Sequence, residues 1–237
     1  MAKSIDRRID GLDWDRIGAE LDADGYALTG PLLTAAECDR LRALYPDDAL
    51  FRSHIHMARH GFGQGEYKYF RYPLPNPIPA IREGVYRRIA PIANAWQNKL
   101  GIDAGFPPEL DAMLARCHAA GQARPTPLLL RYGPGDYNCL HQDLYGEEQF
   151  PIQLAILLSQ PGEEFEGGEF VLTEQRPRMQ SRAQVVPLAK GHGVLFAVNQ
   201  RPKQGTRGVY RVRMRHGVSA VRSGARLTAG VIFHDAA

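Results

Sequence analysis

The hydrophobic pattern of this 237-residue chain changes character near Thr126. Beyond that point short apolar runs alternate with Gly, Pro and Asp turns: Leu128 to Tyr132, Ile152 to Leu158, Gly168 to Thr173, Val194 to Ala197, Val209 to Val218 and Leu227 to Phe233. Runs of this length bounded by turn residues read as strands. Upstream, apolar spacings of three and four predict helices instead. Trp14, Ile17 and Leu21 share one face, with Gly25 as a stop. Thr34 and Glu37 form a capping box that opens a second helix lined by Cys38, Leu41 and Leu44. Helical periodicity returns from Ile81 to Leu100, where Pro91 is expected to kink or divide the helix, and again from Pro108 to Ala119. Tyr26 to Gly30 reads as a short strand, and Gly61 to Tyr72 as a loop or irregular strand. The expected architecture is mainly β with flanking helices, a sandwich or barrel in one domain spanning residues 1–237. Its helical support covers about 1–125 and its strand-rich core about 126–237.

Composition narrows the class. Apolar residues make up 44% and charged residues 23% of the chain, enough to bury a core. The formal charge is only +3, but it is unevenly placed. From Arg176 to Arg226 the chain carries basic residues and no Asp or Glu. Such a stretch creates a positive field for anionic partners unless acidic groups elsewhere in the fold absorb it, which is the favoured expectation. Cys38, Cys117 and Cys139 are too scattered for a disulfide framework or a thiolate metal site, and their odd number fits a reducing compartment. The opening Met1 to Arg8 lacks the apolar core of a secretory signal, and no apolar run reaches the roughly 20 residues that span a bilayer. A cytoplasmic protein with no membrane partner is expected.

The chemistry-bearing constellation is His141-Gln142-Asp143 with a distant His216. On extended backbone the first and third residues of H-x-D face the same way. In Tyr210 to His216, period-two alternation turns Arg211, Arg213 and Arg215 outward and Tyr210, Val212 and Met214 inward, and His216 shares the inward parity. Two imidazoles and one carboxylate with open positions suit iron(II). Arg226 and Thr228 fall on one face of the last strand and together suit a carboxylate, for which arginine's planar fork is better than lysine. Tyr132 lies near enough in sequence to add a hydroxyl. The other histidines are weaker candidates. His54, His56 and His60 lack an evident acidic ligand and read as a wall of the active-site entrance; His192 sits in a turn at the wrong distance from Arg226; His118 and His234 have less to recommend them.

Several pieces then occur in a familiar order: Arg131-Tyr132-x-x-Gly135, His141-x-Asp143, Phe165-Glu166-Gly167-Gly168-Glu169-Phe170, Lys190-Gly191-His192-Gly193-Val194-Leu195-Phe196, and His216-Gly217-Val218 leading to Gly224-x-Arg226. Together they resemble the iron(II)- and 2-oxoglutarate-dependent dioxygenases, specifically the prolyl 4-hydroxylase-like branch. The resemblance implies a double-stranded β-helix, the jelly-roll form of cupin-like proteins. It implies that His141, Asp143 and His216 hold iron(II), that Arg226 pairs with the distal carboxylate of 2-oxoglutarate with help from Tyr132 and Thr228, and that molecular oxygen is the co-substrate. Two positions depart from that branch. Collagen-modifying members commonly place lysine where Arg226 stands, and the second tyrosine of the usual Tyr-x-x-His element appears one place early, as Tyr137.

For the substrate, hydroxylation of a protein or peptide side chain is the nearest analogy, with a free amino acid or other small metabolite close behind. Phe51 to Tyr72, rich in aromatic and histidine side chains, is expected to close over a ligand, and Gln160 to Pro187 to add a second lip. A nucleic-acid demethylase ranks lower, because Ile232 stands where the AlkB-like family carries a second arginine. A non-catalytic jelly-roll binding protein is the alternative from a different class. The oligomeric state stays open.

Overall fold

The computed structural model describes residues 4–103, 105–144 and 146–237. Met1, Ala2 and Lys3, the start of the segment judged unlike a secretory signal, lie outside them. Helices α1 (Ile5–Asp10) and α2 (Trp14–Asp24) lead into β1 (Tyr26–Pro31) and α3 (Ala35–Ala43). Strands β2 (Phe51–His56), β3 (Gly63–Gln64) and β4 (Glu66–Phe70) precede α4 (Ile78–Lys99) and α5 (Leu110–Ala119). The remaining strands are β5 (Leu128–Tyr132), β6 (Tyr137–His141), β7 (Ile152–Leu157), β8 (Phe165–Gly167), β9 (Phe170–Gln175), β10 (Arg182–Val186), β11 (His192–Ala197), β12 (Gln200–Gly205), β13 (Gly208–Val218), β14 (Val221–Gly224) and β15 (Arg226–Val231).

Local signals explain the helix ends. The Thr34 hydroxyl accepts from the Glu37 N–H while the Glu37 carboxylate accepts from the Thr34 N–H, the reciprocal box expected there. Gly25 ends α2 in the left-handed region, at φ 80°. Pro91 does not divide α4, which runs unbroken for 22 residues. Ile81, Val85, Ile89, Ala93 and Trp96 are all buried on either side of it, so packing outweighs the one missing N–H.

Two antiparallel sheets face each other. The larger has seven strands in the order β1-β11-β7-β15-β5-β4-β2, and the smaller runs β10-β9-β13-β6-β3 with β12 added to β13. This is the double-stranded β-helix. α4 covers one face of the larger sheet, where Leu129, Ile156, Leu195, Ala229 and Val231 join its core. The opposite face meets the smaller sheet through Phe170, Leu172, Val194 and Phe196. β7 is covered on both faces and is buried at every position, which is why its sequence is apolar apart from Gln153. Gly61 to Tyr72 is more regular than expected. β4 takes full antiparallel partners in β2 and β5, and strands from before Thr126 lie in both sheets. Among the described residues no helix is long and apolar enough to cross a membrane.

Much of the basic stretch is neutralised internally. Arg176, Arg201 and Lys203 converge on the buried carboxylate of Glu174, and Lys190 bridges Asp39 and Glu164. Arg211, Arg213 and Arg215 remain exposed on the outer side of β13, without an ion-pair partner among the described residues.

Candidate metal centre

β6 and β13 pair so that His141 stands opposite His216. A tight turn sets the entry to β6: the Asp136 carboxylate accepts from the Gly133 N–H at 2.8 Å, and Gly135 adopts φ 87°, where a side chain would be strained. Asp143 lies just past the end of β6, and its carboxylate returns between the two imidazoles. Oδ1 is 3.3 Å from His141 Nε2, and Oδ2 is 3.4 Å from His216 Nε2. Gln142 fixes this departure from the strand, its amide donating to the Asn199 side chain at 2.7 Å and to the Met214 carbonyl at 2.9 Å.

The protonation pattern suits ligation. The carbonyl of Cys139 can only accept, so His141 Nδ1, 2.7 Å away, carries the ring proton of the neutral imidazole and leaves the Nε2 lone pair free for a cation beside Asp143. Burial opposes charge on Asp143, but hydrogen bonds and charge from His141 and His216 outweigh it and hold the carboxyl well below its usual range. Burial also opposes charge on His141, yet without a cation the Asp143 carboxylate favours its imidazolium form, by hydrogen bond and charge, and raises its pKa on balance. His216 is deeper, packed against Phe196 and Phe170, and burial lowers its pKa. A buried carboxylate between two inward nitrogens is a donor set for a divalent cation.

Arg226 enters the same cavity from β15. It is 2% exposed, its Nη1 donates to the Thr228 hydroxyl at 2.7 Å, and its guanidinium lies 5.5 Å from the centre of the Tyr132 ring. Tyr132 pairs with Arg226 across β5 and β15, and its hydroxyl accepts from the Asn138 amide at 3.4 Å. No carboxylate lies within ion-pair distance of Arg226 among the described residues, and its Nε has no partner. Burial pulls its pKa down to about 10. Among the described residues only the more distant charge of Glu169 offsets that burial; a guanidinium without a direct ion pair in an enclosed site is costly, and an anionic ligand would satisfy it. The cavity that joins these groups has a volume of about 240 Å³.

Comparison with known proteins gives the same direction. Residues 65–236 match a family described as "Oxygenase, catalysing oxidative methylation of damaged DNA". The chain belongs to this oxygenase family. Two uncharacterized proteins of Mycobacterium tuberculosis, MT2286 and Rv2227, are each 50% identical to the oxygenase over 168 residues, covering 71% of this chain and 72% of theirs. A Burkholderia pseudomallei oxidoreductase of the 2-oxoglutarate–iron(II) oxygenase family shares its fold with a TM-score of 0.56 and 17% identity, covering 96% of this chain and 94% of its own. A Pseudomonas putida prolyl-4-hydroxylase does so with a TM-score of 0.52 and 13% identity, covering 92% and 96%. The oxygenase is thus an iron(II)- and 2-oxoglutarate-dependent enzyme, with molecular oxygen as co-substrate. The donor set and the unpaired Arg226 suit both cofactors.

The remaining expectations divide. Phe62, Tyr67 and Tyr69 do line the cavity, but of Gln160 to Pro187 only Phe170 does so among the described residues, so that segment forms no second lip. Tyr137 is exposed and outside the cavity lining, where its neighbour Asn138 takes a place instead. His192 lies at the start of β11, opposite Pro31; His118 approaches the Asp235 carboxylate at 3.0 Å; the His234 ring accepts from the Phe150 N–H at 3.1 Å. None of the three lines the cavity. The histidine cluster upstream divides as well. His60 stacks on Phe62, whereas His54 and His56 meet Glu66, the acidic partner not evident from their sequence neighbourhood. They do not line the cavity, so they are no part of its entrance. Sequence reasoning passed over Gln153 altogether. It is buried in the cavity wall with its amide nitrogen unpartnered, and its signal was a lone amide within the apolar run from Ile152 to Leu158.

Proposed function

We propose that the oxygenase, working as one domain over residues 1–237, holds iron(II) on His141, Asp143 and His216 and removes alkyl groups from nucleobases. Arg226 carries the co-substrate assignment. A buried guanidinium with no carboxylate in ion-pair contact among the described residues, in the same cavity as the donor cluster, matches the distal carboxylate of 2-oxoglutarate. When bound, iron and 2-oxoglutarate supply the oxidation: one atom of O₂ enters succinate as CO₂ is lost, and the other hydroxylates a substrate C–H bond.

The chain's own groups position and shield that chemistry. The Cys139 carbonyl keeps the proton on His141 Nδ1, so Nε2 stays available. Phe170 and Phe196 fix the His216 ring and exclude water from one side of the centre. Thr228 orients the Arg226 fork, and the Tyr132 ring covers it.

Two features support a nucleobase as substrate. The matched family is described by action on damaged DNA, and the cavity is walled by the flat rings of Phe62, Tyr67 and Tyr69. Ring stacking is sequence-tolerant and holds a base without a second arginine; Ile232 is buried in the wall at the position considered for one. Arg211, Arg213 and Arg215 lie along the outer side of β13, the strand that carries His216, available to phosphates. Hydroxylation of an N-methyl group gives an N-hydroxymethyl group, which separates into the free base nitrogen and formaldehyde. The three cysteines are all unpaired, which fits a reducing, cytoplasmic setting.

The deciding experiment supplies iron(II), 2-oxoglutarate and oxygen with N-methylated oligonucleotides in one arm and proline-containing peptides in the other. Formaldehyde released in step with succinate, with oligonucleotides lighter by one methylene, is the expected result. Peptides heavier by one oxygen, beside unchanged oligonucleotides, would replace this reading with peptide hydroxylation.

A further inference from the structure

The geometry points to a second divalent-metal site, of zinc type, on His54, His56 and Glu66, outside the lining of the catalytic cavity and independent of the substrate assignment. β2 and β4 pair with His56 opposite Glu66 and His54 opposite Lys68. Period-two alternation places His54 and His56 on one face of β2. Tyr67 and Tyr69 face the catalytic cavity, so Glu66, one residue before Tyr67, turns with Lys68 to the other side of the sheet. Both imidazoles approach the same carboxylate oxygen. Glu66 Oε2 is 2.7 Å from His54 Nε2 and 3.7 Å from His56 Nδ1, and the two rings are 4.4 Å apart between centres. Ligands on one tetrahedral zinc ion lie about 3.4 Å apart, given bonds of about 2.1 Å, so small side-chain rotations of partly exposed groups reach that geometry.

The surroundings favour an ion on Oε2. The other oxygen, Oε1, faces the Arg131 guanidinium at 3.4 Å. Arg131 therefore orients the carboxylate and leaves Oε2 to the imidazoles. Asp48 adds negative charge near His54, although Lys68 holds it at 2.6 Å. Two neutral imidazoles and one carboxylate match zinc and its first-row neighbours better than magnesium or calcium, which prefer oxygen-rich shells. Water would complete the coordination. An ion there ties β2, the edge strand of the larger sheet, to β4, whose opposite face carries Tyr67 and Tyr69 into the cavity. It is a brace for the wall of the active site.

Zinc counted by equilibrium dialysis and elemental analysis tests this directly. Wild-type protein should bind one equivalent more than the H54A/H56A variant, and the H141A/D143A variant should keep the equivalent that a further E66Q substitution removes. Because His54 and His56 are partly exposed, the H54A/H56A variant should keep its fold by circular dichroism, and the first comparison stands even if the buried Asp143 substitution unfolds the chain. Cobalt(II) gives a second readout through the visible absorption of a tetrahedral site, lost in H54A/H56A. Equal zinc content in wild type and H54A/H56A overturns the proposal. So does a second equivalent bound only above about 100 µM, the weak range of an adventitious surface pair.

Discussion

Two clusters in this molecule contain the same donors, two imidazoles and one carboxylate, each assembled across antiparallel neighbours. They differ in where the sheet faces. His141, Asp143 and His216 point into the space between the sheets, where Asp143 is 9% exposed and His216 is covered by aromatic rings. His54, His56 and Glu66 point outward, and Glu66 divides its charge between the imidazoles and Arg131. The inner carboxylate is desolvated, so its attraction for a cation is poorly screened and its partners must be supplied by the fold. The outer one is screened by water and already shared. Identical ligand types thus yield an enclosed centre fit for oxidation in one place and at most a structural clamp in the other. Cavity walls and a counter-charge for the co-substrate separate a catalytic site from a metal-binding one.

The strongest way to break that contrast is to remove one carboxylate from each cluster. D143A should abolish succinate formation, measured with iron(II) and 2-oxoglutarate under oxygen. E66Q should leave it near the wild-type rate at saturating iron. Comparable losses from both would erase the functional distinction. The same pair differs in pH dependence. Asp143 has a folded pKa well below that of an unfolded aspartate, about 3.9. Its contribution to metal-free stability is therefore present above that unfolded value and lost as pH falls through the folded one. Urea titrations of metal-free protein from about pH 5 downward should show a shallower acid loss for D143N than for wild type. E66Q should flatten that limb less, since Glu66 is lowered through partly exposed contacts, burial opposing and His54 favouring its charge.

A second contrast sharpens the assignment of the co-substrate. Charge-assisted hydrogen bonds contribute about 1.5–3 kcal/mol each, so R226A should raise the KM for 2-oxoglutarate roughly 10- to 100-fold. R226K keeps the charge without the fork and should fall between the two. R131A removes an arginine from the outer cluster and should leave that KM unchanged. Equal effects from R226A and R131A would indicate general electrostatics in place of a specific carboxylate contact.

The residues legible in the sequence are those whose grouping follows from local pattern. His141 and Asp143 are two apart, His216 belongs to a strand with clean alternation, and Arg226 and Thr228 share a face by parity; Tyr132 stands just before the strand of the first ligand in sequence, and the structure places all six around one cavity. What stayed hidden depends on register between separate strands. Glu66 becomes the partner of His54 and His56 only because β2 and β4 pair with His56 opposite it, and no spacing rule across Gly61, Gly63 and Gly65 fixes that register. The regularity of β4 was obscured in the same way, since its charged and aromatic residues are sorted by two neighbouring strands, not by their own periodicity. Pro91 shows the opposite failure: a strong local signal for interruption is overridden by burial on both sides of it.

Gln153 offers the smallest and most discriminating effect, because its two consequences have opposite signs. Its amide nitrogen is buried without a partner in the wall of the catalytic cavity, on a strand whose other residues are apolar. A group left in that state costs stability, and the Q153L substitution removes it at similar volume. Metal-free Q153L should therefore match or exceed the wild-type midpoint in urea. If the amide donates to a bound ligand, the same change should weaken 2-oxoglutarate or substrate, raising one KM about 2- to 10-fold, as expected for one neutral hydrogen bond. Which KM moves identifies the ligand the amide faces. The corresponding change on the outer cluster, H56A, should move neither KM and should lower only the stability gained by adding zinc. If Q153L leaves both KM values in place while destabilising the protein, the amide is a packing element and the cavity's polar contacts reduce to Arg226, Thr228 and Tyr132.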